Sequence, residues 1–316
     1  MNDLFTGQEE QGSIDLTLKD GDRFVVVGDS QIPFHDETLL ESIFYDFAPS
    51  WRPTRHSYHL FLAGDIVDNF SLSKFPPRVT PNFDLSKEIS ITKEYLSRWR
   101  DGFDKRHYIF GNHEDRWDRE SYDGKFAKFI PPLQEVLDLK GLGYDYVPYL
   151  RHYTVNGFVL THGDVAVLNT AKAMLDTYAS SGASGHVNRP HDYTRADARD
   201  GVPNTWTVMG MTCRMDIGDY IKDWRKIMPW QQGFGIGEVY NGKVYFENIR
   251  VHHGAYRAAG KIYRLWELKK RSRKTLELGA YTQEEYGLKC TMDMAMAWLY
   301  NVPVRGTLES IMTYFY

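Results

Sequence analysis

Five short segments carry the residue types that hold divalent cations: Gly28-Asp29-Ser30-Gln31, Gly64-Asp65-Ile66-Val67-Asp68, Gly111-Asn112-His113-Glu114, His162-Gly163-Asp164 and Gly185-His186-Val187-Asn188. Carboxylates neutralise cation charge, while amide oxygens and imidazoles set geometry. An apolar run precedes most of them: Phe24 to Val27, Leu60 to Ala63, Tyr108 to Phe110 and Phe158 to Thr161. A buried strand that ends in Gly and then Asp, Asn or His opens into a loop. Several such ends set side by side would gather these groups at one sheet edge, as dinuclear metal sites require. One Gly-Asp alone is a turn signal; the ordered set carries the inference.

The elements that must position these groups are legible as alternating strands and helices. Strands are expected at 24–27, 59–63, 107–110, 144–147, 153–155 and 158–160, with an edge strand at 14–18. Further strands are expected at 206–211, 233–240 and 243–249, and Asn156-Gly157 and Asn241-Gly242 mark hairpins. Helices are expected at 37–47, 86–100, 114–128, 133–139 and 171–179. The Pro-rich stretch 69–81 reads as a loop beside Asp65, with Lys74, Phe75 and Arg78 as its contact candidates.

The 316 residues suffice for one large α/β domain with additions, or for two domains. Net charge −4 argues against a surface coated for nucleic acid but allows a local basic patch. Cys213 and Cys290 cannot form a disulfide framework. The start lacks a signal-peptide core, and no stretch reaches the roughly 18 apolar residues of a membrane span. A cytoplasmic protein is expected, in the host cytoplasm if the gene is viral.

The ordered motifs resemble the calcineurin-like metallophosphoesterase superfamily, whose pattern is D-x-H, GD-x-x-D, GNH-E/D, H and GH-x-H. The resemblance runs from about Phe24 to about Asn188 and is nearest to bacterial and phage-encoded members. It implies a four-layer α/β fold: two mixed sheets in a sandwich, flanked by helices, with the strands after the last motif in the second sheet. A lead-in is expected at 1–22, the metallophosphoesterase domain at 23–258, and a basic linker with a helical extension at 259–316. In that tail, Lys269-Lys270-Arg271-Ser272-Arg273-Lys274 reads as a solvated face, or as part of an appendage for nucleic acid or a second subunit.

Two positions depart from the pattern. Gln31 stands where the family has the His of D-x-H, and Asn188 where it has the last His of GH-x-H. By the resemblance both belong to metal site A, with Asp29 and the bridging Asp65. Site B keeps its full set: Asp65, Asn112, His162 and His186. Exchanging imidazoles for amide oxygens makes site A harder and weaker, and favours Mn or Mg over Fe or Zn. Site A could work in that form, fill only with substrate, or be a relic. His35 and His191 are candidate substitutes, or else supporting or surface histidines.

The implied activity is metal-dependent hydrolysis of a phosphomonoester or phosphodiester. Two divalent ions, Mn with Mg, Fe or Zn as alternatives, would clamp the phosphate and hold a bridging hydroxide. His113 resembles the family's general acid, with a capping or core histidine as the alternative reading. Asp68 resembles the partner that orients it, or else a ligand of site A. Arg116 and Arg189 are candidates for a bidentate grip on the phosphate, or plain surface arginines. Asn69 replaces the Arg of the protein-phosphatase branch, which argues against a phosphoprotein substrate. A nuclease, drawing on the basic run, and a scaffold that has lost turnover are the alternatives.

Overall fold

The computed structural model describes residues 12–73, 84–123, 129–196, 202–215 and 229–265. The expected contacts Lys74, Phe75 and Arg78, the start of the lead-in, the basic run at 269–274 and the tail helices lie outside the described residues. Met1–Tyr263 forms one unit and Arg264–Tyr316 another; all elements below begin within the first.

Val25, Val26 and Val27 are fully buried, as are Leu60, Phe61 and Leu62. Continuous apolar runs of this kind belong to strands covered on both faces. They form the middle of a six-stranded sheet in the order β12 (Lys243–Arg250), β11 (Gly233–Tyr240), β2 (Arg23–Val27), β3 (Tyr58–Ala63), β4 (Lys105–Ile109) and β5 (Tyr144–Val147). Strands β2 to β5 are parallel, and β11 runs antiparallel to β2. The second sheet takes the order β1 (Ile14–Leu16), β6 (Tyr153–Val155), β7 (Phe158–Leu160), β8 (Gly182–Ser184), β10 (Pro203–Val208) and β9 (His191–Ala196).

Between the sheets, Phe24, Phe61, Ala63 and Ile109 pack on Tyr153, Val155, Leu160 and Ala183. Phe44 and Trp99, from the helical segments on the outer side of the first sheet, stack at 4.4 Å. The helix Thr170–Tyr178 covers the second sheet, setting Met174 and Leu175 against Val159 and Trp206. The layers are therefore helix, sheet, sheet, helix. Among the described residues no helix is long and apolar enough to cross a membrane.

One expectation needs correcting. The strands after the last motif do not all join the second sheet: β10 does, but β11 and β12 extend the first sheet beyond β2. Gly235 and Gly237 lie on β11, and a Cβ at Gly237 would overlap the Phe24 ring. The lack of a side chain there lets β11 close on β2. Both Asn-Gly turns hold positive φ at the two central residues, as tight hairpins need. Strands β8 and β9, and the pair β13 (Ala255–Ala258) and β14 (Lys261–Arg264), were not expected from the sequence. The β13–β14 turn contains Ala259-Gly260, where the sequence places the end of the main domain. Beyond it, Tyr263 still packs on Phe47 at 5.5 Å.

The inter-sheet core also holds two histidines. His107 lies 4.5 Å from the Phe61 ring, and its Nε2 is 3.1 Å from His59 Nδ1. Burial, and then His59, hold His107 down to about 3. The ordinary value is about 6.5, so as pH falls the unfolded chain takes up the proton first and stability is lost. This penalty should be absent above about pH 6.5 and grow by about 1.4 kcal/mol per pH unit below it. In His107→Phe the melting temperature should therefore fall less between pH 7 and pH 4.5 than in the wild type. Parallel declines would show that His107 is not the sensitive group.

Candidate metal centre

Parallel strands β2 to β5 direct their C-terminal ends to one edge, where open α/β sheets seat ligands. In the second sheet β7 and β8 are parallel, and His162 and His186 follow their ends. Backbone hydrogen bonds lock these ends together. The Asp29 N–H donates to the Gly64 carbonyl at 3.0 Å, and the Gly185 N–H to the His162 carbonyl at 3.0 Å. The His186 N–H reaches both Asp29 carboxylate oxygens, at 3.1 and 3.2 Å, and so ties one sheet to the other. Close approach explains two glycines: a Cβ at Gly185 would overlap the Asp29 carboxylate, and one at Gly111 the Asp65 carboxylate.

Five of the candidate ligands, Asp29, Gln31, Asp65, His186 and Asn188, stand in the left-handed region, with φ between +49° and +73°. Side chains rarely tolerate this, and such strain concentrates at functional sites.

Ligand atoms of Asp65, His162 and His186 lie within 4.8 Å of one another. Asn112 Oδ1 joins them, 2.9 Å from His186 Nδ1 and 3.1 Å from His162 Nε2. His162 Nδ1 donates to the Ala63 carbonyl at 2.8 Å, which leaves the Nε2 lone pair of the neutral ring facing Asp65 Oδ1 at 3.4 Å. Oxygen and nitrogen lone pairs converging in this way need protons or a cation between them. Two imidazoles, a carboxylate and an amide oxygen fit a divalent transition metal.

The electrostatics point the same way. Burial alone would raise Asp65, yet the imidazoles of His113 and His162 hold its carboxyl well below the usual carboxylate range. Burial disfavours protonation of His162, but Asp65 and Asp29 outweigh it and push the ring up to about 10. Burial, reinforced by Asp65, raises Asp29 to about 7. Protons on His162 and Asp29 thus balance the buried carboxylates, the neutralisation that divalent cations would supply in their place. Asn188 Oδ1 is buried with no hydrogen-bond partner, an oxygen suited to the same purpose. Gln31 is buried at this edge, its N–H donating to the Asp65 carbonyl at 2.8 Å.

His113 stands beside this group. Its Nε2 is 3.6 Å from Asp65 Oδ2, and its Nδ1 is 3.6 Å from Asp68 Oδ2. Arg116 donates to His113 Nε2 at 2.8 Å and to the Asp68 carbonyl at 2.9 Å. A guanidinium has only donors, so Nε2 is the acceptor and the neutral ring carries its proton on Nδ1, toward Asp68. Burial pushes His113 below its ordinary value and raises Asp68 to about 7.

Arg189 is not gathered in: it donates to the Val167 carbonyl at 3.0 Å on the exposed surface. The cluster of Asp65, His162 and His186 includes neither suggested substitute. His35 packs edge-on against Tyr95 at 4.4 Å, and both His191 nitrogens are used, by the Ala171 N–H and the Arg189 carbonyl. Sequence reasoning quoted Glu114 within its motif without giving it a role, and passed over Thr212. Thr212 fastens the first strand end: its N–H donates to the Asp29 carbonyl at 3.2 Å and its hydroxyl to the Gly28 carbonyl at 3.0 Å. No local signal marks it. Glu114 did carry one, since a Glu at the third helical position often reaches back to the N–H before the helix.

Two curated proteins, each named Gene 54 protein, are similar to this chain. That of Mycobacterium phage D29 is 26% identical and that of Mycobacterium phage L5 is 25% identical, each over 275 residues. Each alignment covers 78% of this chain and 99% of the relative. The family model described as calcineurin-like phosphoesterase matches residues 22–206. That span is more than half of the chain, and the chain belongs to the calcineurin-like phosphoesterase family.

Proposed function

We propose that this protein hydrolyses phosphate esters with the help of two divalent cations, Mn first among them. The observation that carries the reading is the convergence of Asp65, His162 and His186 on one point, with Asn112 beside them. Asn112, His162 and His186 would hold one ion, and Asp29, Gln31 and Asn188 the other. Asp65 would touch both. When bound, such ions stabilise charge on phosphate oxygens and supply a nucleophile at neutral pH.

The chain's own groups provide the rest. Asp65 and Asp68 flank opposite nitrogens of His113 and fix its ring, whose charged form would give the Nε2 proton to a leaving oxygen and return to neutral. Arg116 already reaches His113, and its side chain is 18% exposed. Turning from the ring to two phosphate oxygens would give a bidentate grip and free Nε2 to take up from water the proton that the leaving oxygen then receives. The phage relatives support a setting in the host cytoplasm.

The test is metal-free protein reloaded separately with Mn, Mg, Zn and Fe, assayed on para-nitrophenyl phosphate, its bis ester and single-stranded DNA. Turnover of an ester with at least one metal is expected. Inactivity throughout would favour a scaffold that keeps the fold. Hydrolysis of DNA alone would favour a nuclease, the reading that the five basic residues within 269–274 support.

The ligand sets also predict unequal affinity. One site has two imidazoles and the other none, so calorimetry should resolve one tight and one weak Mn site. Gln31→His with Asn188→His should tighten the weak site and move its preference toward Zn and Fe. Two equally tight sites in the wild type would refute this division of ligands.

A further inference from the structure

Glu114 is fully buried and receives five hydrogen bonds. Its Oε2 accepts the N–H groups of Asp65 at 2.9 Å and Gly111 at 2.7 Å. Its Oε1 accepts Ile66 N–H at 2.8 Å, Val67 N–H at 3.2 Å and the Tyr108 hydroxyl at 2.7 Å. An ionised carboxylate offers about four lone-pair directions and only accepts. Five donors around one carboxylate therefore saturate it.

The donors are informative. Three consecutive N–H groups, 65 to 67, point at one spot, an arrangement that in other loops cradles an external anion. Here the chain fills the cradle itself, so this loop has no seat left for a substrate phosphate. The fourth backbone donor, Gly111, belongs to the next strand end and precedes Asn112. One side chain thus joins the loop after β3, which carries Asp65, to the loop after β4, which carries Asn112 and His113. It does so while Asp65 sits at φ +51°, a conformation its own side chain disfavours. The start of the helix accounts for one of these bonds, the cap on Gly111 N–H; the three to residues 65–67 go beyond it.

We propose that Glu114 is a positioning residue: it touches no substrate, but it holds the Asp65 backbone in its strained form and sets the distance between the Asp65 and Asn112 ligands, and so the geometry of the metal centre. The assignment rests on the metal-centre reading above. An amide in place of the carboxylate would turn an NH₂ group toward at least two N–H donors and drive the loops apart.

The test is Mn(II) calorimetry on metal-free full-length protein, with thermal melting alongside. Glu114→Gln should melt cooperatively yet bind Mn about 10–100-fold more weakly, the range commanded by groups that orient metal ligands. Tyr108→Phe removes one donor and leaves the backbone clamp, so its affinity should stay near wild type. Wild-type affinity in Glu114→Gln overturns the assignment alone. A wild type that binds no metal overturns the metal-centre reading and this assignment with it. If Glu114→Gln does not fold, hydrogen exchange in the wild type decides. Amides 65, 66, 67 and 111 exchanging as slowly as those of β3 and β4 support the clamp, and exchange at the rate of exposed loops refutes it.

Discussion

Asp65→Ala is expected to lose bound metal and turnover together, the largest effect of any single substitution in the site. Asp65 Oδ1 accepts the His113 N–H at 2.9 Å and faces His162 Nε2 at 3.4 Å, and Oδ2 faces the His113 ring. It is the carboxylate to which the imidazoles of both His113 and His162 are drawn. Groups that merely orient a ligand are worth about 10–100-fold in affinity or activity, so losing a ligand shared by two ions should exceed that. Asp65→Asn separates charge from shape. It keeps an acceptor for the His113 N–H but cannot neutralise two cations, and should fail nearly as badly. The fold should survive both changes at reduced stability, because the imidazoles of His113 and His162 lose the carboxylate that attracts them. Leaving one N–H unpaired adds roughly 1–3 kcal/mol to that cost in Asp65→Ala. Metal analysis by mass spectrometry, with a melting curve, checks all three statements.

His113→Ala should behave differently. Turnover should fall about 10²–10⁴-fold, the usual contribution of a positioned acid or base, while metal content stays near wild type. The geometry gives the reason. Arg116 donates to His113 Nε2 at 2.8 Å, and a nitrogen that accepts from a guanidinium is not placed to hold a second cation. The other nitrogen faces Asp68. Asp68→Asn, which leaves the ring in place but weakens its anchor, should cost activity less than His113→Ala does. If His113→Ala shed metal as completely as Asp65→Ala, the histidine would be a ligand or a structural residue.

How much of this could be read from the chain follows from where each signal is stored. Strands β2 and β3 are legible because burial on both faces demands nearly unbroken apolar runs, and such runs survive in a single sequence. Asp29, Asp65, Asn112 and His162 are legible because each stands just after an apolar run, where the chain must leave the sheet. Strand β8 is Gly182-Ala183-Ser184, three small residues with no periodic pattern. Its identity as a strand comes only from pairing with β7 and β10. Strand β9 is mostly exposed and polar, and is held by six register pairs to β10. The placing of β11 beside β2 was equally hidden, since pairing partners are not written in local pattern. At the site, the use of Arg116 on His113 and of Glu114 on three consecutive N–H groups depends on which loops meet. Nothing in the spacing of those residues encodes that meeting.

Crystals grown with Mn and measured for anomalous scattering test the central claim most directly. Two peaks are expected, one on each side of the Asp65 carboxylate and about 3.5–4 Å apart. The stronger should lie among Asn112, His162 and His186, and the weaker beside Asp29, Gln31 and Asn188. A single peak would leave the chain without the second ion that the proposed hydrolysis needs. Peaks elsewhere, or none at saturating Mn, would contradict a dinuclear centre built on Asp65.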